Sequence, residues 1–379
     1  MKLKFGMVGG GGGGIGPMHI RGALMDHLCE LKAGCFSRSA DKNATWADIW
    51  GVKEPDRIYP DYESMALAEG AKTGDDRLDF VVIVTPNDSH YGIAKRFLEQ
   101  GFNIVSDKPL ALNSTQGEEL VQLSRAKNLL FGVTYTYAGY ALIRQMREMV
   151  ESGELGDLIY INVEYPQEWF ALGLTRPTSS NAMWRQDPAK VGPSQATADI
   201  GSHCEFLIKA ATGLTPKRVL AKFDHIPRDL PLESNTTVML DYGNQISGLI
   251  WASQVALGHE CDIRVRIFGT KGSVDWSHLQ AGYLKVARIG EPVQIYSAAS
   301  PYNHPDSNRL TRTNPGHPEG LFEAFGNIYR SFAECLLARK EGRPDEGFTY
   351  PTVEDGLNGV KFIEACVASN AAGNVWTEL

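Results

Sequence analysis

Six consecutive glycines, Gly9–Gly14, stand between an apolar run, Phe5–Val8, and a stretch of helical character from Pro17 to Leu28. A strand that runs into glycines and then straight into a helix is a βα unit. It commits the chain to a sheet whose next strand is reached by a crossover. The following units keep the pattern. Leu31–Ser37 is predicted as a strand, Asp41–Trp50 and Tyr62–Ala71 as helices, and Phe80–Val84 as a strand. Asp88–Gln100 is a helix stopped by Gly101, Asn103–Ser106 a strand, Ser114–Lys127 a helix and Leu129–Thr134 a strand. Phe80–Val84 is apolar throughout, as a central strand buried on both faces requires. Right-handed crossovers then give a doubly wound parallel sheet over residues 1–137.

The pattern changes after Ala138. One helix, Tyr140–Glu151, precedes alternating runs at Ile159–Glu164, Val219–Phe223, Thr236–Leu240, Ile246–Ala252, Asp262–Phe268, Val274–Trp276 and Leu284–Arg288. Turn signals such as Asp241-Tyr242-Gly243-Asn244 join several of them. Strands in succession without helices form an antiparallel sheet, one face packed and the other open. Pro301–Pro318 reads as a long loop, and helices over Phe322–Lys340 and Val353–Asn370 close the chain. The expected division is an α/β domain over 1–137 and an α+β domain over 138–379, with room for a C-terminal helix to pack back on the first.

Composition excludes several classes. The 379 residues are 43 % apolar and 22 % charged, with a formal net charge of −8, the balance of a soluble globular protein. There is no Lys/Arg run to build a basic stripe, so nucleic acid is not an expected partner. No apolar run reaches the ~20 residues of a membrane helix. Met1–Phe5 enters a strand at once, which leaves no room for a secretory leader. The six cysteines (Cys29, Cys35, Cys204, Cys261, Cys335, Cys366) are scattered without a CxxC pair. Neither a metal site nor a disulfide framework is expected, and a reducing cytoplasm is.

Within this frame the glycine run has a chemical reading. Gly11-Gly12-Gly13-Gly14-Ile15-Gly16 fits G-x-G-x-x-G between a strand and a helix. Backbone N–H groups at such a helix N-terminus approach a dinucleotide's pyrophosphate, which a Cβ would obstruct. The motif also fits from Gly9 to Gly14, but Pro17 suits a first helical turn and favours the later register. The next strand ends Cys35-Phe36-Ser37-Arg38, without the acid that binds a ribose 2′-hydroxyl. Ser37 and Arg38 suit a 2′-phosphate instead, so NADP is expected ahead of NAD, with NAD left open.

Lys108, in Asp107-Lys108-Pro109, follows the strand Asn103–Ser106 at the carboxyl edge of the sheet, where ligands of doubly wound folds bind. It is suited to exchanging a proton with a substrate hydroxyl; an exposed turn lysine is the plainer alternative. Asp199 and His203 are four apart at the start of a predicted helix running to Gly213, which puts both on one face. A helix N-terminus favours neutral imidazole, ready to accept a hydroxyl proton, and Asp199 would stabilise the imidazolium that results. An N-capping aspartate beside a satisfied histidine is the competing reading. Tyr165, Trp169, Trp184 and Arg185 come before this helix. Aromatic faces stack on sugar C–H surfaces and arginine donates to hydroxyls, while the same aromatics also suit a core. His317, in the long loop, is a further candidate for substrate contact.

In their order these pieces resemble the glucose-fructose oxidoreductase / inositol dehydrogenase (Gfo/Idh/MocA) family. The matching motifs are Gly11-x-Gly13-x-x-Gly16-x-x-His19, Thr85-Pro86-Asn87-x-x-His90, Asp107-Lys108-Pro109, Asp199-x-Gly201-x-His203 and Gly269-Thr270-Lys271-Gly272. The resemblance covers nearly the whole chain. It implies an N-terminal Rossmann domain and a C-terminal domain with a large open antiparallel sheet. It also implies NAD(P)-dependent oxidation or reduction of sugars, inositols and related pyranosides. Lys108 and His203 are then the catalytic pair and Asp199 a substrate contact. Thr85, Pro86, Asn87 and His90 line the nicotinamide side, with Asp107 beside them. Subunits would pair through the open sheet face as a dimer or tetramer. The chain departs from the family at three places. Asp107 replaces the usual Glu, Gly192-Pro193-Ser194-Gln195 replaces a glycine cluster, and Phe206 replaces an acid. The last two alter the substrate wall, so the identity of the sugar does not carry over. Two other readings share the scaffold. One is an NAD-dependent glycosidase using transient C3 oxidation and elimination. The other is a non-catalytic NAD(P)-binding regulatory protein, which the retention of both Lys108 and His203 disfavours.

Overall fold

The computed structural model describes residues 2–12, 14–174, 184–345 and 347–379. It comprises two compact units, one of Met1–Thr136 with Leu321–Leu357 and one of Tyr137–Gly320 with Asn358–Leu379.

In the first unit β1 (Leu3–Gly9), β2 (Cys29–Cys35), β3 (Phe80–Val84), β4 (Asn103–Ser106) and β5 (Phe131–Val133) form a sheet in the order β2-β1-β3-β4-β5. Every pairing is parallel. Helices α1 (Gly16–Leu24), α2 (Ala40–Ile49), α3 (Tyr62–Gly70), α4 (Asn87–Glu99) and α5 (Ser114–Ala126) lie in the connections. This is the doubly wound sheet the sequence predicts, and β3 is buried along its whole length. Strand order reverses between β1 and β3. The glycine turn and the Thr85 loop therefore flank the switch point, outside the strand ends where ligands of such sheets bind.

The sequence places a boundary near residue 137 and leaves room for a C-terminal helix to pack back on the first domain; in the structure Leu321–Leu357 belongs to the first unit. The cause is the apolar face of the helix Leu321–Lys340. Phe325, Tyr329, Phe332 and Leu336 recur at helical spacing and join Leu3, Phe5 and Phe80 in one buried cluster. Gly22 of α1 permits the approach, since a Cβ there would lie 2.9 Å from the Phe325 Cβ. Burying each such side chain contributes about 1.5–3 kcal/mol, which outweighs sequence proximity to the second unit.

The second unit contains α6 (Ala141–Glu151), α7 (Ser202–Thr212) and nine strands. These are β6 (Leu158–Pro166), β7 (Arg218–Asp224), β8 (Asn235–Gly243), β9 (Ile246–Ser253), β10 (Arg264–Gly269), β11 (Gly272–Ser277), β12 (Tyr283–Arg288), β13 (Gln294–Ser297) and β14 (Thr377–Glu378). Their order is β13-β12-β11-β10-β6-β9-β8-β7-β14. The sheet is mostly antiparallel, with one exception to the predicted pattern: β6 and β9 pair in parallel. The path from β6 to β9 passes through α7, β7 and β8, a crossover long enough for a parallel neighbour. Edge strands β13 and β14 are too short to show alternation in sequence. The long loop predicted over Pro301–Pro318 includes a short helix, Pro305–Asn308.

Alternation sorts the two faces of this sheet. Ile161, Val163, Val238, Ile250, Val265 and Ile267 are buried on the face against α7. The other face carries Arg266, bonded to Glu164 at 2.9 Å, with exposed Met239 and Phe268. All six cysteines are free. Among the described residues no helix is long and apolar enough to cross a membrane.

Candidate active site

The first unit's glycines divide by function. Gly9, Gly10 and Gly12 hold φ of +84°, +81° and +83°, a region that glycine enters at no cost. At Gly16 an added Cβ would lie 2.2 Å from the Gly10 carbonyl oxygen, so strand exit and helix start touch backbone to backbone. That contact gives Gly16 the helix-packing role of the motif's third glycine. Gly14 differs: no described atom lies within 4 Å of a Cβ built there. Exposed Ile15 follows it as the residue before α1, whose first turn carries no acid. Open space before a helix N-terminus leaves room for a pyrophosphate. Gly13 lies outside the described residues.

After β2, Gly11 N–H donates to the Phe36 carbonyl at 3.2 Å. Ser37 Oγ accepts from the Ser39 amide at 3.2 Å, and Arg38 is exposed. Pro86 is exposed, Thr85 and Asn87 are half-buried, and Thr85 Oγ1 accepts from Ser89 Oγ at 2.7 Å. His90 was expected on the nicotinamide side. It is buried, with Nδ1 2.8 Å from the Pro109 carbonyl and Nε2 2.8 Å from the Thr85 carbonyl. Both ring nitrogens are thus taken up in tying the β3 loop to the loop that carries Lys108.

Asp107 and Lys108 close β4. One Asp107 oxygen accepts from the Lys108 amide at 2.8 Å and from Thr134 Oγ1 at 3.0 Å. The other lies 3.9 Å from Nε2 of fully buried His19. Burial would raise the Asp107 carboxyl, but His19, Lys108 and His90 around it, with the Lys108 amide, outweigh that and lower it. It therefore carries its charge at neutral pH. Burial holds His19 down at about 4, against a smaller opposing pull from Asp107. Its Nδ1 lies 2.7 Å from the Tyr329 hydroxyl, on the returning helix.

In the second unit the predicted helix starts earlier than its motif suggests. A π-turn, Thr197–Gly201, runs directly into α7. The Glu233 carboxylate accepts from the Thr197 amide at 2.9 Å and from Ser194 Oγ at 2.6 Å, and Ser194 Oγ accepts from the Ala198 amide at 3.2 Å. These groups take the first amides of the helical run, and His203 sits inside that run rather than at its N-terminus. The expected help from the helix end is corrected accordingly. π-turns of this kind frequently mark functional sites. The His203 ring meets the Tyr137 ring edge-on at 5.0 Å and the Tyr165 ring at 6.5 Å. The Tyr137 and Tyr165 hydroxyls bond to each other, and burial pushes both phenols up. Tyr165 is thus buried behind His203. His278 packs edge-on against Tyr137 at 5.3 Å.

Asp199 keeps other company. Its Oδ2 accepts from Gln254 Nε2 at 2.7 Å and lies 3.9 Å from Arg185 Nε. The Arg185 guanidinium lies over Trp184 at 4.6 Å and over Trp169 at 5.1 Å. Trp169 Nε1 donates to Gln167 Oε1 at 2.8 Å. Four residues picked from sequence, Trp169, Trp184, Arg185 and Asp199, are therefore one cluster. His317 is exposed in its loop, its Nδ1 3.3 Å from the Asn314 carbonyl. Sequence reasoning missed Tyr137, His278 and Gln254, and named Gln195 only as part of the segment that replaces a glycine cluster. A polar glutamine at the carboxyl end of apolar β9 was the signal available for Gln254.

The first unit thus carries a dinucleotide-type glycine turn and Lys108 at the end of β4, and the second carries His203 among aromatic rings and a separate cluster of Asp199, Arg185, Trp169 and Trp184. Comparison with known proteins supplies the class. Residues 3–135 match the oxidoreductase family's NAD-binding Rossmann fold, and residues 143–275 match the Gfo/Idh/MocA C-terminal domain. An uncharacterized oxidoreductase of Bacillus subtilis (strain 168), YfiI, is 34 % identical over 387 residues, covering 99 % of this chain and 96 % of its own length. An inositol dehydrogenase homologue from Azotobacter vinelandii, complexed with NAD+, superposes with a TM-score of 0.95 at 33 % identity, covering 100 % of this chain and 98 % of that one. An A. vinelandii inositol dehydrogenase homologue complexed with NADH and myo-inositol gives 0.92 at 32 %, with coverage of 100 % and 98 %. The chain belongs to the Gfo/Idh/MocA family of oxidoreductases.

Proposed function

We propose that this protein is an NAD(P)-dependent dehydrogenase or reductase acting at a hydroxyl-bearing carbon of a sugar, pyranoside or cyclitol. The observation that carries the reading is the second unit's cluster, in which Asp199 and Arg185 offer hydrogen bonds beside the faces of Trp169 and Trp184. Charged partners for hydroxyls next to flat apolar walls suit a polyol, which is polar at its edges and apolar along its C–H faces. The A. vinelandii homologue complexed with NADH and myo-inositol supports the same class. When bound, the dinucleotide supplies the hydride acceptor or donor. The residues manage the proton. Lys108 and His203 are the proton-transfer pair, and in the oxidising direction they take the hydroxyl proton as the carbon loses hydride. Asp199 orients the polyol and favours the charged imidazole that results. Burial keeps the phenols of Tyr137 and Tyr165 neutral, so they hold the His203 ring without competing for the proton.

Ser37 and Arg38, with no acid between them and β2, support a preference for NADP, with NAD also accepted. The outer face of the nine-stranded sheet, with exposed Met239 and Phe268, supports a dimer or tetramer paired through it, measurable by light scattering. The six free cysteines support work in the cytoplasm. The deciding experiment is a screen of NAD and NADP reduction against inositols, monosaccharides and glycosides. Stoichiometric NAD(P)H is expected from at least one polyol, and Lys108→Met should abolish it. Sugar release without net cofactor change would overturn the reading in favour of an eliminating glycosidase.

A further inference from the structure

Gln195 stands where the family has a glycine cluster, and the structure gives it a task. Gln195 and Gln254 are both buried. Gln195 Nε2 donates to Gln254 Oε1, and Gln254 Nε2 donates to Asp199 Oδ2 at 2.7 Å. The direction of this chain is forced. A carboxylate only accepts, so Gln254 must turn its NH₂ toward Asp199 and its carbonyl toward Gln195, which must then donate. Both ends are anchored through the backbone. Gln254 N–H donates to the Ser234 carbonyl at 2.8 Å, and its own carbonyl accepts from the Phe170 amide at 3.1 Å. The Gln195 amide donates to buried Glu233 at 3.2 Å. Asp199 itself is about one-third exposed, with its side chain at 30 %. A partly exposed carboxylate held from behind by a buried amide relay has one preferred rotamer on its accessible side.

We propose that Gln254, backed by Gln195, is a positioning residue that fixes the Asp199 carboxylate toward one hydroxyl of the polyol, and so sets discrimination between a polyol and its deoxy analogue. This rests on the reading of Asp199 as the polyol contact. Gln254 and Gln195 touch no substrate themselves; they act through Asp199.

The test uses the full chain with NAD(P)+ and myo-inositol, or the best polyol from the screen, together with its monodeoxy analogues. Gln254→Met keeps the length of the side chain and removes the donor. It is expected to lower kcat/KM by about ten- to a hundredfold, the range for a hydrogen bond to a charged group. The KM for the dinucleotide should stay unchanged. The preference for the polyol over the deoxy analogue lacking the contacted hydroxyl should collapse. Gln195→Met should act in the same direction but more weakly, and should add nothing in the Gln254→Met background. A merely structural role would instead give additive losses of thermal stability with selectivity intact. If Asp199→Ala is severely impaired while Gln254→Met keeps wild-type selectivity, the relay is wrong and the site reading stands. If Asp199→Ala itself turns over normally, the site reading fails.

Discussion

Two alanine substitutions only two residues apart, at Gly14 and Gly16, should behave in opposite ways. On Gly16 the new Cβ would lie 2.2 Å from the Gly10 carbonyl oxygen and 2.9 Å from the Gly10 Cα. Both obstacles are backbone, so β1 or α1 must move, and overpacking of this kind costs about 1–3 kcal/mol. On Gly14 the Cβ meets no described atom within 4 Å. With no steric obstacle, alanine there removes freedom from the unfolded chain, which stabilises by about 0.4–1 kcal/mol where the backbone angles suit it. Gly14→Ala should therefore melt at or slightly above the wild-type temperature, and Gly16→Ala clearly below it. Dinucleotide binding should order the Gly14 variant differently. Its methyl group would stand in the open space before the helix N-terminus that a pyrophosphate needs, and losing even one charge-assisted hydrogen bond there weakens binding by about tenfold or more. Ligand-free thermal melts and fluorescence titrations with NADH and NADPH provide the two readouts. If Gly14→Ala binds both dinucleotides like wild type, or loses stability alongside Gly16→Ala, the division of the turn into packing and ligand-facing glycines is wrong.

Three further outcomes follow from buried polar groups in the first unit. His19 titrates near 4 when folded and near 6.5 when unfolded, so its stabilising contribution is complete above 6.5 and is lost as pH falls toward 4. The total is roughly 3 kcal/mol, and His19→Asn should flatten the pH dependence of the urea midpoint in that window; an unchanged slope would refute it. Arg57 bonds Glu69 at 3.0 and 2.6 Å, and Tyr59 bonds the same carboxylate at 2.7 Å. Arg57→Met should cost about 3–5 kcal/mol, with much of the loss recovered in the Arg57→Met/Glu69→Met double variant, as chemical unfolding would show. His90→Phe keeps a ring but removes its contacts to the Thr85 and Pro109 carbonyls, and losing a buried hydrogen bond costs about 1–3 kcal/mol. It should also raise the KM for dinucleotide, and a stable variant with unchanged cofactor kinetics would exclude the tie.

The first unit was legible because its information is local. The apolar run Phe80–Val84, the glycines after β1 and Gly101 after α4 each declare an element within a few residues. What was hidden there was long-range. The helix Leu321–Lys340 carries an apolar stripe that fits any sheet, and only the tertiary packing of Phe325, Tyr329 and Phe332 assigns it to the first. The parallel β6–β9 pair was hidden for a similar reason. Alternation tells a strand which face is inward but not the direction of its neighbour.

The candidate site shows a sharper version of the same limit. Residues that carry charge or large rings announce themselves, and Asp199, His203, Arg185, Trp169 and Trp184 were all picked from sequence. Residues that hold them do not. His90 has the residue type of a ligand contact, yet both its nitrogens serve the backbone. Asp199 has the position of an N-cap, yet Glu233, thirty-odd residues further along the chain, does that work. In each case the motif fixes which side chain is present, while its partner is chosen by whichever buried donor or acceptor would otherwise stay unpaired. That requirement is severe, because an unpaired buried polar group costs more than a typical hydrogen bond contributes. In the proposed relay, Gln195 and Gln254 act on Asp199 through this requirement, since each has a buried amide that must find a partner. Members of one family can then keep the same lysine, aspartate and histidine and still differ in the polyol they select.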